Sequence, residues 1–76
     1  MKQIHQRALD LIKQDEWDSS HDLIQDCTDP LSCQIHGYLH RIEGDIGNAR
    51  YWYHRAEIAM PNNSLEEELS RLSALL

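Results

Sequence analysis

Long apolar runs are missing from this sequence. No stretch approaches the roughly 20 consecutive apolar residues needed to span a bilayer. The opening residues Met1-Lys2-Gln3-Ile4-His5-Gln6-Arg7 also lack the apolar core of a signal peptide. These absences set the expectation of a cytoplasmic protein that makes no use of a membrane. Cysteine is scarce as well, with only Cys27 and Cys33, which flank Thr28-Asp29-Pro30-Leu31-Ser32. Disulfides are rare in the cytosol, so two reduced thiols near a helix junction are expected. Half of a zinc site is the lesser reading: the gap is wider than the usual two to four residues, and two more ligands would be needed.

Basic residues are outnumbered, seven against thirteen acidic ones, giving a formal charge of −6. That balance repels phosphate backbones and anionic lipid surfaces, so no nucleic-acid partner is expected. Glycine is limited to three residues and no segment alternates apolar and polar residues in the manner of a strand. Little room remains for a sheet, and the expected fold class is all-α. At 76 residues the chain makes one domain, 1–76. A domain of this size buries only about 60% of the surface its unfolded chain exposes. A core of this size rarely supplies more than ~3–5 kcal/mol, so association of two copies into a homodimer is a reasonable expectation.

What is present is helical periodicity. Ile4, Ala8, Leu11 and Ile12 predict a first helix over about 2–14. Asp15 offers a cap for a second helix, running to about Asp26, whose face holds Trp17, Ser20, Ile24 and Cys27. Asp29-Pro30 reads as an N-cap with proline at the first helical position. The third helix carries Leu31, Ile35, Tyr38 or Leu39, and Ile42 as its stripe, and Gly44 ends it. Asp45 caps a fourth helix with Ile46, Ala49, Tyr53 and Ala56 on one face, before Pro61. Ser64-Leu65-Glu66-Glu67 is a capping box, followed by Leu65, Leu69, Leu72 and Leu76 on a terminal amphipathic helix.

Sliding the second helix onto the fourth aligns Trp17 with Ile46, Ser20 with Ala49, Ile24 with Tyr53 and Cys27 with Ala56, at a constant offset of 29 residues. The first and third helices follow in the same register, Ala8 falling on Gly37. Two copies of one helical hairpin are therefore expected, about 2–27 and about 30–60, with a capping helix over about 64–76. In the second copy Ala49, Tyr53, Ala56 and Pro61, with Gly37 at the small position, resemble the tetratricopeptide repeat. Ser20, Cys27 and His36 depart from that pattern, and the period is shorter. The blocks Trp17-Asp18-Ser19-Ser20-His21 and His36-Gly37-Tyr38-Leu39-His40-Arg41-Ile42-Glu43-Gly44-Asp45, continuing through Asn48-Ala49 to Tyr51-Trp52-Tyr53-His54-Arg55-Ala56, are similar to short microbial proteins of unassigned activity. The resemblance implies the fold and no activity.

No serine or cysteine lies in a glycine-lined turn, so nucleophilic catalysis finds no motif and a non-enzymatic role is expected, with no cofactor. The carboxylate run Glu66-Glu67-Glu68 reads as a solvated helix face. His36 and His40 lie four apart and so on one helix face, where two imidazoles can share a metal, with His21 as the best third ligand. Hydrogen-bonded histidines at a helix interface are the preferred reading of the same residues.

Segment 31–60 balances Arg41, Arg50 and Arg55 against Glu43, Asp45 and Glu57, while the flanks are acidic. Interleaved with Tyr38, Tyr51 and Trp52, it is the best recognition surface by residue type. Packing of Trp52 on the terminal helix and pairing of the arginines with Glu43 and Glu57 is the structural alternative. A tetratricopeptide-like arrangement implies a shallow groove over Lys2, His5, Leu9, Gln34, Tyr38 and Arg41, with Arg41 exposed and His36 buried. The expected function is thus a protein-interaction module for an unknown protein or peptide, through Gln34, Tyr38, Arg41, Tyr51, Trp52 and Arg55. The alternative is a metal- or small-ligand-binding protein centred on His21, His36 and His40.

Overall fold

Unpaired backbone N–H groups at helix starts must find acceptors, and the helix junctions of this chain supply them from the side chains just described. The computed structural model describes residues 2–76, in the order α1 (Lys2–Lys13), α2 (Trp17–Ile24), α3 (Pro30–Ile42), α4 (Ile46–Arg55) and α5 (Leu65–Ala74). Among the described residues there is no strand, and the protein is all-α. No helix is long and apolar enough to cross a membrane. The Asp29 side chain accepts the Ser32 N–H at 3.1 Å with Pro30 at the first helical position. Ser64 and Glu67 form the reciprocal capping box at 3.0 and 2.9 Å. Gly44 takes the left-handed conformation, φ 82°, that ends α3.

One junction differs from expectation. Asp15 does not cap α2; it sits at φ 62° in the turn that closes α1, where the Glu16 N–H reaches the Leu11 carbonyl at 2.8 Å. Aspartate tolerates this left-handed geometry better than most residues. The α2 N-cap is Glu16, without a side-chain bond, and α2 ends at Ile24, which leaves Cys27 in the following turn. Both thiols are free, Cys27 half-buried and Cys33 buried.

The helices pack as α1 on α2 and α3 on α4, with α5 laid against α3 and α1. α3 touches all four other helices, and every residue from Ser32 to His40 is buried. A helix covered on all sides needs no single apolar stripe, which explains why the stripe expected for α3 was too narrow. The ends are less covered than the periodicity implies: Ile42, Ile46 and Leu65 are 38%, 39% and 40% exposed. Leu9, Ile24, Ile35, Leu39, Tyr53 and Leu72 join all five helices in one core.

Close contacts between paired helices fall at positions equivalent under the 29-residue offset. In the first pair the Ser20 hydroxyl donates to the Ala8 carbonyl at 2.9 Å. In the second, a Cβ on Gly37 would stand 2.7 Å from the Tyr53 ring and 3.0 Å from the Ala49 carbonyl. Ala49 itself is fully buried. Ala49→Leu is therefore expected to destabilise the protein by ~1–3 kcal/mol through overpacking. Urea denaturation measures this, and an unshifted midpoint would show that the contact is not tight.

A candidate ligand-binding site of three histidines

Three helices bring imidazoles and indoles to one place. From α2 come Trp17 and His21, one turn apart, their rings stacked at 4.9 Å and 8°. From α3 come His36 and His40, also one turn apart, at 4.9 Å and 27°. Trp52 of α4 lies flat on His36, with ring centroids 3.8 Å apart and planes 13° apart. The Trp17 indole N–H donates to the Leu39 carbonyl at 2.7 Å, which pins α2 to α3 beside the cluster.

Nε2 of His21 and Nε2 of His36 stand 3.1 Å apart. One nitrogen from each of His21, His36 and His40 lies within 4.8 Å of the others. His40 Nδ1 is 2.6 Å from Glu43 Oε1, and its Nε2 is 3.3 Å from the Asn48 side-chain nitrogen. The tautomer that satisfies both contacts donates from Nδ1 to the Glu43 carboxylate and keeps a lone pair on Nε2. His36 is 3% exposed, and its Nδ1 has no hydrogen-bond partner. Burial, followed by the neighbouring His21, His40 and Arg55, pushes the His36 pKa down to about 4. It is neutral at pH 7 with a lone pair to offer.

The residues assigned from sequence to a partner groove are otherwise engaged. Gln34 accepts from Arg71 Nη2 at 2.7 Å, and the buried Tyr38 hydroxyl donates to the Leu65 carbonyl at 2.8 Å. Arg41, expected to be exposed, is half-buried and donates to Asn63 Oδ1 at 2.9 Å and to the Asn63 carbonyl. Leu9 is fully buried and His5 Nε2 meets Asp29 Oδ2 at 2.7 Å, while the Lys2 side chain lies outside the described residues. Thus α5 and the segment before it cover this face of α3. The outer face of α4 is free: Tyr51 is 54% exposed, and the exposed Arg55 lies over the half-buried Trp52 ring at 5.0 Å. Trp52 packs on His36 and not on the terminal helix, and Arg41 pairs with Asn63 and not with Glu43 or Glu57.

A shallow concavity of about 410 Å³ beside α4, among Arg50, His54, Ile58, Met60 and Pro61, is open and lacks convergent buried polar groups. The histidine cluster carries more chemistry. Sequence reading did not single out Trp17, Glu43 or Asn48 for this site. Glu43 could have been found from its position three residues after His40 on one helix. Nothing in the sequence places Asn48 against His40. In comparisons with known proteins, no family model, no curated protein and no solved structure matches this chain.

Proposed function

We propose that this protein is a non-enzymatic binding module whose ligand is taken up by His21, His36 and His40 between α2, α3 and α4. The observation that carries this reading is the convergence of three imidazole nitrogens within 4.8 Å around an almost fully buried His36. The neutral His36 offers a lone pair, so the fitting ligand accepts electron density or donates hydrogen bonds.

Because Trp17 and Trp52 stack on His21 and His36, indole emission would report occupancy. A ligand present at about 100 times its dissociation constant stabilises the folded state by about 2.7 kcal/mol. For a chain of this size that raises the melting temperature by on the order of 10 °C. A panel of metal ions and small hydrogen-bonding ligands should contain at least one that gives this rise in the wild type and not in His21→Gln. A panel with no effect on the wild type, or an equal rise in the variant, contradicts the reading.

A second reading, recognition of a protein or peptide by Tyr51, Trp52 and Arg55, is favoured by the layered contact of Arg55 over Trp52 over His36 on the open side of α4. Tyrosine, tryptophan and arginine are the side chains that dominate binding hot spots. The face over Gln34, Tyr38 and Arg41 loses weight in this reading, since α5 supplies its contacts from within the chain.

A further inference from the structure

Resting on the binding reading of the histidine cluster, we infer that its ligand is a single divalent transition-metal ion of the zinc class. The ion is held by His21, His36 and His40, with a fourth position left for water. Nitrogens within 4.8 Å of one another leave room between them for one atom and not for an organic molecule. Tetrahedral zinc with bonds of about 2.0–2.1 Å sets its ligand nitrogens roughly 3.4 Å apart. The 3.1 Å between Nε2 of His21 and Nε2 of His36 is already close to that edge. His40 completes the triangle with a nitrogen within 4.8 Å of both.

The donor set selects the ion. Three imidazoles without a carboxylate or carbonyl oxygen disfavour calcium and magnesium, which require oxygen ligands. They suit zinc, cobalt, nickel and copper. Three protein nitrogens plus one water is a common catalytic arrangement for zinc, whereas closed structural sites use four protein ligands.

Glu43 supplies the outer contact such a site needs. Its carboxylate, 2.6 Å from His40 Nδ1, fixes the tautomer that presents Nε2 to the ion and makes that nitrogen more basic. The Asn48 amide, at 3.3 Å from Nε2, is the weak contact that the ion displaces. Trp52 on His36 and Trp17 on His21 hold the rings in plane and screen them from bulk water. Glu43 is therefore a positioning residue, and the three histidines are the ligands.

The test is a cobalt(II) titration of the untagged protein at pH 7, followed by displacement with zinc(II). One equivalent should produce the visible absorption bands of four-coordinate cobalt, and zinc should abolish them. Glu43→Gln should retain the bands with affinity lowered about 10–100-fold. His21→Gln, at a half-buried position, should lose the bands while keeping wild-type far-ultraviolet circular dichroism. His54→Gln, exposed and outside the cluster, should titrate like the wild type. The metal assignment is overturned if the wild type binds more weakly than about 1 mM, or if His54→Gln loses as much affinity as His21→Gln. If metal fails while an organic ligand still raises the wild-type melting temperature and not that of His21→Gln, the binding site stands and only the ion falls. If both fail, the binding reading falls with it.

Discussion

Glu68→Ala is expected to leave the protein largely unfolded at room temperature. Glu68 is fully buried, and its carboxylate accepts from the Tyr53 hydroxyl at 2.7 Å, Asn63 Nδ2 at 3.0 Å, Arg71 Nε at 2.7 Å and Arg71 Nη2 at 2.9 Å. Burial pushes its pKa up, but the bonds from Arg71, Asn63 and Tyr53 outweigh burial and hold it below the ordinary value. Removing one partner from a buried charged cluster costs about 3–5 kcal/mol, because the others lose their acceptor. A core of this size provides roughly that much in total. The loss would also release α5, whose contacts cover Tyr38 and Gln34. Circular dichroism in urea decides the matter, and a variant with the wild-type midpoint would contradict the proposed role of the cluster.

Acidification from pH 7 to pH 5 is expected to lower stability by about 2 kcal/mol through His36 alone. The unfolded imidazole takes its proton near 6.5, whereas the folded one resists until about 4. Between those values the unfolded chain binds more protons, so acid favours unfolding and the contribution is lost as pH falls through this window. Asp29 and Glu68 are also held below their ordinary values of 3.8 and 4.5, and their contributions disappear only at lower pH. Denaturant midpoints at half-unit pH steps give the slope. The account predicts a flatter slope in His36→Gln and is contradicted if wild type and variant decline in parallel.

The helix boundaries were legible because capping chemistry is local. Asp29 with Pro30, Gly44 with Asp45, and Ser64 with Glu67 each act within three residues. Asp15 misled for the same reason: a residue that favours an N-cap also tolerates the left-handed turn that ends a helix, and only the tertiary path of the chain chose between them. His36 and His40 were legible as a pair from their one-turn spacing. His21 was expected as their best third partner, and the packing of α2 on α3, with Trp17 anchored to the Leu39 carbonyl 22 residues away, brings it there.

Glu68 was obscured by the run Glu66-Glu67-Glu68, which looks solvated as a block. Its own spacing, three after Leu65 and four before Leu72, places it on the buried face of α5 and could have separated it from its neighbours. The covering of Gln34, Tyr38 and Arg41 was hidden for a different reason. The periodicity of α3 showed that these residues share a side, but not that α5 and Asn63 would return across it.

The most direct test of the histidine site is a long-range proton–nitrogen correlation spectrum of the imidazoles at pH 7, recorded without and with one equivalent of zinc. The account predicts a neutral ring at His36 before zinc, with a proton on His40 Nδ1 beside Glu43. On addition the nitrogens of His21, His36 and His40 should shift together at equimolar zinc, while those of His5 and His54 stay in place. Shifts confined to the exposed His54, or spread evenly over all five histidines, would contradict the account.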